Sequence, residues 1–314
     1  MAELLTYRQA VRYDPTNTTT LRNAFARDMK RRFNELAKVV HTAVYTQNCL
    51  GLGITTHQMM PPGQGAFAFL RDPLKIEAFM RWLQEQERRG IISTVEMYQI
   101  GSAINEAWTN RYIYDSYKRG VLRARQELKK AGYNVPPLEE FFGIAATLSA
   151  PIHLDRIGVL FTRVFSGLEG ITAQMDTQIS QILAQGIIDG DGPALLARKL
   201  VAAIDGTGMG SLGITDTLGR FIPAERRAMM LARTEIIRAF HLGTIQEYRN
   251  WAVEGVIVLG EWKTAGDDRV CPKCAALEGK IFTLDEIEPM IPFHPDCRCI
   301  ALPYIEDIVK YYKK

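Results

Sequence analysis

The sequence has few cysteines, no long apolar run and no strong charge of either sign. Its 314 residues include five cysteines, an odd and low count that argues against a secreted disulfide scaffold and for a reducing compartment. The N-terminal Met-Ala-Glu-Leu-Leu-Thr-Tyr-Arg-Gln lacks a basic region followed by an apolar one, so no signal peptide is expected. No stretch of about 18 apolar residues occurs, and a membrane partner is not expected. The longest uncharged segment, Val39 to Leu70, is full of Gln, Thr, Gly and Pro. A net charge of +3 says little about partners; where the charge sits matters more. No internal repeat is evident, which sets solenoid architectures aside.

What is present is the composition of a soluble globular protein, 47% hydrophobic and 23% charged. A chain this long implies two domains. After the polar stretch Thr16 to Thr20, apolar residues recur at Leu21, Phe25, Met29, Phe33, Leu36, Val40 and Val44, the 3.6-residue period of an amphipathic helix. Residues 49–70 read as a loop, broken by Gly51, Gly53, Pro61, Pro62, Gly63 and Gly65. Asp72-Pro73 reads as a helix start running to about Arg89. A longer helix is expected over Thr94 to Ala131, stopped at Gly132.

Pro136-Pro137 and Phe141–Leu154 suggest a boundary. A second long helix follows from Leu154 to Gly186, with Ile157, Leu160, Phe161, Val164, Leu168 and Ile171 on one side. Gly190 to Pro193 precede a short helix, Ala194 to Ile204. The Gly-rich loop 206–219 comes next, and Pro223 opens a helix to about Ala252. Only beyond Gly255 does the period become that of strands, at Val256 to Lys263 and more briefly at Lys280 to Leu284. The expectation is a mainly α protein. A long-helix N-terminal domain, 1–150, precedes an α+β C-terminal part, 151–314, comprising helices over 154–252 and a small strand-containing Cys/His module over 256–304.

Four of the five cysteines fall in that module: Cys271-Pro-Lys-Cys274, then His294-Pro-Asp-Cys297-Arg-Cys299, with only Cys49 elsewhere. Three readings compete. Zinc takes four nitrogen or sulfur ligands in a tetrahedron, and a Cys-x2-Cys turn supplies two thiolates from one knuckle. Pro272 stiffens that turn, and a module with so few large apolar residues gains from a staple. Disulfides would need an oxidising compartment. A catalytic thiol would need a lowered pKa beside a base, and no nucleophile elbow accompanies the cluster. Structural metal ranks first, held by four of Cys271, Cys274, His294, Cys297 and Cys299, with Cys297 favoured as the fourth ligand and Cys299 close behind.

The order Ala232-Arg233-Thr234-Glu235, then Trp262, then Asp267-x-Arg269-Val270-Cys271-x2-Cys274-x2-Leu277-x-Gly279, then His294-Pro295-x-Cys297-Arg298-Cys299-x3-Pro303 resembles the phage Mu protein F-like family over roughly residues 175–304. That family comprises minor head, or head morphogenesis, proteins of tailed phages and prophages. The resemblance implies a non-enzymatic virion protein inside the head, present in host cytoplasm during assembly. It further implies association with the portal protein and with major capsid or scaffold proteins, and a part in head assembly and DNA packaging or delivery. Arg233 and Glu235 are expected to join their helix to the cysteine module through a polar network, against the alternative of an ordinary surface ion pair. Trp262 is expected in a strand core.

Two surfaces could serve a partner. Arg111, Lys118, Arg119, Arg123, Arg125, Lys129 and Lys130 crowd one helix with Tyr112, Tyr114 and Tyr117 interleaved; such a helix can neutralise phosphates of double-stranded DNA without reading sequence. It could equally be a solvated face or one complementary to an acidic portal surface. The apolar tip Gly65 to Leu70 is the second, a docking patch if exposed. The runner-up function is a metal-stapled nuclease or other DNA-processing enzyme, with Glu235, His241 and Asp267 as its hydrolytic candidates. A third is a host DNA-binding protein built on a zinc module.

Overall fold

The computed structural model describes residues 14–52, 74–99, 102–136, 143–206, 222–252 and 258–305. The apolar tip at 65–70, Asp72-Pro73 and most of the Gly-rich loop 206–219 lie outside these residues. Among the described residues the chain is mainly helical, with a small antiparallel sheet near the C-terminal end. No helix there is long and apolar enough to cross a membrane.

Helix α1 spans Thr19–His41 and continues into a short π-helical turn, Thr42–Thr46. Its apolar stripe behaves as the periodicity requires, for Leu21, Phe25, Met29, Phe33, Leu36, Val40 and Val44 are all buried. Helix α2 follows at Lys75–Gly90. The single helix expected over Thr94 to Ala131 is not what forms. Residues Thr94–Gln99 (β1) and Ser102–Ala107 (β2) pair as an antiparallel hairpin, Gln99 opposite Ser102 and Thr94 opposite Ala107. Helix α3 begins only at Asn110 and runs to Lys130. Thr, Val and Tyr in Thr94–Gln99 suit a pleated strand, and a two-residue link with a glycine at 101 suits a hairpin. Gly132, at φ 96°, ends α3 as expected.

Helices α4 (Gly143–Leu148) and α5 (Pro151–Ile188) follow, the latter opened by a proline whose missing N–H costs nothing in a first turn. On α5, Ile157, Leu160, Val164 and Leu168 are buried, whereas Phe161 and Ile171 are partly exposed. Helix α6 (Pro193–Asp205) stops at Gly206 in the left-handed conformation, and α7 spans Ala224–Ala252.

The C-terminal sheet has strand order β4-β3-β5, with β3 at Val258–Lys263, β4 at Ile281–Phe282 and β5 at Ile300–Ile305. Strand β5 is not legible in the sequence, since Pro303 sits inside it; the strand lies at the edge of the sheet, where half its amides need no partner. Two one-turn helices, α8 (Pro272–Ala275) and α9 (Leu284–Ile287), fill the connections.

Close contacts gather the chain into two compact units. One contains residues 1–25, 109–164 and 232–314, the other 26–108 and 165–231. In the first, α3 and α7 cross at backbone contact. A Cβ on Gly120 would collide with the Phe240 carbonyl, and one on Gly243 with the Tyr117 carbonyl. Ser116 Oγ donates to the Ile236 carbonyl at 2.6 Å, and Thr244 Oγ1 to the Gly120 carbonyl at 3.2 Å. Beside this crossing, Ala124, Leu128, Ile237, Ile245 and Tyr248 form one core with Trp262, Ile287, Ile291 and the cysteines of the C-terminal module.

Candidate metal centre

The site is assembled from two turns held over that core. The first is the start of α8. Cys271 is its N-cap, with φ −71° and ψ 154°, and its Sγ accepts the Cys274 amide at 3.3 Å. Pro272 occupies the first helical position, so the turn is preset and brings the two sulfurs to one side. That amide bond, first among its surroundings, lowers the Cys271 thiol pKa. Cys274 is buried, and burial pushes its thiol up to about 12.

The second turn is His294-Pro295-Asp296-Cys297, closed by the Cys297 amide donating to the His294 carbonyl at 3.1 Å. Asp296 sits at φ 60°, a left-handed conformation that aspartate tolerates better than most residues. Its amide donates to Thr234 Oγ1 at 3.1 Å, fastening the turn to α7. The His294 ring is oriented by Nδ1, 2.7 Å from the Pro295 carbonyl. With Nδ1 donating there, the Nε2 lone pair is left facing the sulfurs, the outer support common to metal-bound histidines.

Nε2 lies 3.3 Å from Cys271 Sγ and 3.3 Å from Cys274 Sγ. A tetrahedral zinc ion with ordinary bond lengths separates its sulfur and nitrogen ligands by about 3.6 Å. Both separations from His294 are therefore close to an edge of such a tetrahedron. Among the described residues two groups have ligand atoms within 4.8 Å of one another: Cys271, Cys274 and His294, and then Cys274, Cys297 and Cys299. They share Cys274. The first group borders a small cleft together with Arg269, Val270, Asp296, Arg298 and Cys299; the second is wholly buried. These donors are able to hold a metal ion, and all five cysteines are free thiols.

The motif residues between the turns act as struts. Arg298, lying between Cys297 and Cys299, makes a two-pronged pair with Asp267, both bonds at 2.6 Å. Asp267 also accepts from Arg269 at 3.0 Å. The Arg298 guanidinium holds the Asp267 carboxyl well below the usual carboxylate range. Trp262 is a core residue of β3, as expected, packed edge-on against Phe293 with ring centroids 5.9 Å apart. Gly279, at φ 74°, turns the chain so that its amide reaches the Trp262 carbonyl at 2.9 Å.

The polar network expected from Arg233 and Glu235 divides. Arg233 faces Asp296, though at 3.9 Å. Glu235 is buried and pairs with Arg163 at 3.2 Å and with Arg238 at 3.1 Å. The hydrogen bond from the motif to the His294–Cys297 turn comes instead from Thr234, which nothing in the sequence singles out although it lies inside the motif. The hydrolytic candidates do not assemble. Glu235 is held by arginines, Asp267 by Arg298, and His241 Nε2 lies 3.1 Å from the Ile287 carbonyl. Burial lowers the His241 pKa to about 4, so it is a neutral core residue at physiological pH.

The basic helix α3 also divides. Tyr112 and Tyr117 are buried, Tyr117 against His153 at 2.9 Å. Arg125 is committed to the buried Glu247 at 2.7 Å, while Arg123 and Lys130 both reach Glu127. Arg111, Arg119, Lys129 and Lys130 are exposed, and Lys118 is partly so.

Fold and site together define a helical protein closed by a small three-stranded Cys/His module. Residues 177–302 match the family model described as Phage Mu protein F like protein. Over that segment, which includes α7, strands β3 and β4, the start of β5 and all five metal-ligand candidates, the chain is similar to that family. No curated protein and no solved structure matches the chain.

Proposed function

We propose that this protein is a minor head protein of a tailed phage, located inside the head at the portal and acting in procapsid assembly and DNA packaging or delivery. The observation that carries the reading is the family match over residues 177–302, which coincides with the segment whose separated motifs converge on one module. Its role is structural rather than catalytic. A Zn²⁺ ion held by four of the five Cys/His donors staples the module, and the portal protein with major capsid or scaffold proteins are its partners. The N-terminal part, 1–150, serves the portal or head contact, with the segment around 61–69 contributing to it. Non-specific contact with packaged double-stranded DNA falls to the basic side chains α3 leaves outward.

Zinc supplies no reaction here; it supplies cross-links. The core side of the module offers the ion a dry setting, and His294 is already oriented by the Pro295 carbonyl. The test is assembly. Co-expressed with the portal, scaffold and major capsid proteins of its own phage, the protein should co-sediment with procapsids at low copy. Cys271→Ser or Cys274→Ser should reduce that incorporation several-fold. Procapsids that never contain the protein would overturn the reading.

A further inference from the structure

Donor atoms carried on two separate turns must meet at one point. Whatever fixes one turn against the other therefore acts on a bound ion without touching it. The sheet begins this alignment. Lys263, the last residue of β3, pairs with Ile300, the first of β5. The chain thus leaves β3 toward Cys271 and enters β5 from Cys299 at the same end of the sheet. Asp267 lies on the outgoing segment, ahead of Cys271, and Arg298 lies on the incoming one, between Cys297 and Cys299.

One carboxylate joins the two segments. Arg298 Nη1 donates to Asp267 Oδ2 and Nη2 to Oδ1, each at 2.6 Å. From the other side, the Arg269 amide donates to Oδ1 at 3.2 Å and Arg269 Nη2 to Oδ2 at 3.0 Å. The Val270 amide closes the same segment on the Asp267 carbonyl at 3.1 Å, directly before Cys271. Both carboxylate oxygens therefore accept from the approach to the first turn and from the middle of the second. A guanidinium fork fixes angle as well as distance, where an ammonium would fix distance alone. The pair is also partly withdrawn from water, with side chains 14% and 20% exposed, so it is held more firmly than an open surface bridge. Across the joint, His294 Nε2 stands 3.3 Å from Cys271 Sγ and 3.3 Å from Cys274 Sγ.

We infer that Asp267 and Arg298 are positioning residues of the metal centre. They hold turn against turn through bonds that do not involve the ion, and so govern how tightly it binds and how fast it leaves. The inference rests on the metal reading above. It does not depend on whether Cys297 or Cys299 is the fourth ligand, because Arg298 sits between them. Removing an outer partner of this kind costs about 10–100-fold in metal affinity. Asp267→Asn keeps the size of the side chain but turns an N–H toward the guanidinium, which has no acceptor to offer. Arg298→Lys keeps the charge and loses the fork.

The experiment uses the full-length chain, reduced and loaded with Zn²⁺ or Co²⁺. Native mass spectrometry counts the ion, chelator competition gives affinity and release rate, and Co²⁺ absorption reports how many thiolates ligate. Asp267→Asn and Arg298→Lys should each keep one ion and the wild-type Co²⁺ spectrum, with affinity lowered about 10–100-fold and faster release. In the double variant the losses should not add, since both substitutions break one interaction. The control is Thr283→Ala, which removes the capping box of α9 in the same module and should leave affinity unchanged while lowering the denaturant midpoint. Should Asp267→Asn fail to fold, Arg298→Lys carries the test. Wild-type affinity and release in Arg298→Lys overturn the inference and leave the metal reading standing. An equal loss of affinity in Thr283→Ala overturns it too, because the effect would then be one of module stability in general. A reduced wild-type chain that takes up neither Zn²⁺ nor Co²⁺ overturns the metal reading itself.

Discussion

Glu87 on α2 and Asp176 on α5 place two carboxyl groups in hydrogen-bonding contact inside one compact unit, with Gln84 Nε2 donating to Asp176 Oδ2 at 3.2 Å. Glu87 is only 2% exposed. Two carboxyl groups can hydrogen-bond to each other only if a proton lies between them. Burial first, and the Asp176 charge second, raise the Glu87 pKa from 4.5 to about 9, with Arg88 acting weakly in the other direction. Because the folded-state pKa is the higher one, the folded protein holds the proton more tightly than the unfolded chain does. The contribution of Glu87 to stability is therefore full below about pH 4.5 and is lost as pH rises through about 9. Thermal unfolding of the wild type should show a midpoint that falls between pH 6 and about pH 9. Glu87→Gln, which keeps a donor without an ionisable proton, should flatten that fall and raise the midpoint at the alkaline end by several degrees. A variant with the same pH profile as wild type would show that the pair does not share a proton.

At the scale of elements, the crossing of α3 and α7 is held by what two residues lack. Gly120 and Gly243 let the helices meet backbone to backbone, and each hydrogen would be replaced by a Cβ inside the other helix's carbonyl layer. Neither carbonyl is the end of a flexible side chain, so the helices themselves must part. Gly120→Ala and Gly243→Ala should each destabilise by about 1–3 kcal/mol or more, despite alanine's better helix propensity. Denaturant midpoints measure this. Gly170→Ala on α5, where an added Cβ meets nothing, should be neutral or slightly stabilising.

The same scale shows where periodicity served and where it failed. The stripe from Leu21 to Val44 is legible because one face of a long helix is buried throughout. Residues Thr94–Gln99 mislead because they mix β-branched residues with good helix formers, and the following helix α3 lends its period to the whole run. Strand β5 hides behind Pro303, whose cost depends on its being at a sheet edge, a fact of neighbours rather than of sequence.

For the whole molecule, the C-terminal module shares its core with α7, which directly precedes it, and with α3, far upstream in sequence. Metal binding is therefore coupled to folding beyond the module's own residues. Stripping the ion with a chelator should increase hydrogen exchange over residues 258–305 and, more weakly, over the α7 residues that pack on them. Far-ultraviolet circular dichroism should keep most of its helical signal. Exchange confined to other parts of the chain would argue that the donors do not staple this module. Duplex DNA binding belongs to this scale too, because it depends on summed charge. It should be insensitive to sequence and weaken steeply with salt. Reversing Arg119 and Lys129, both exposed, should lower the slope of log K against log salt by about one for each phosphate no longer neutralised. A slope unchanged from wild type would remove α3 as the DNA surface.

Whatever depends on spacing along the chain can be read without a fold: the helical stripes, the glycine stop at Gly132, and the clustering of four cysteines with His294. Spacing also carries the likeness to phage Mu F-like proteins, since several separated motifs occur in a fixed order. Whatever depends on which side of an element meets a neighbour is set by the folded chain. Folding turns Arg125 inward onto Glu247 and Glu235 onto Arg163 and Arg238, although each reads in sequence as one more charge on a helix. It fastens Thr234 to the His294–Cys297 turn and gives Asp267 its role by bringing Arg298 to it across 31 positions. It also pairs Glu87 with Asp176 from two helices, an encounter with no sequence signature. The physical reason is the same in each case: a side chain's charge state and partner are set by burial and distance, and neither is a local property of the chain.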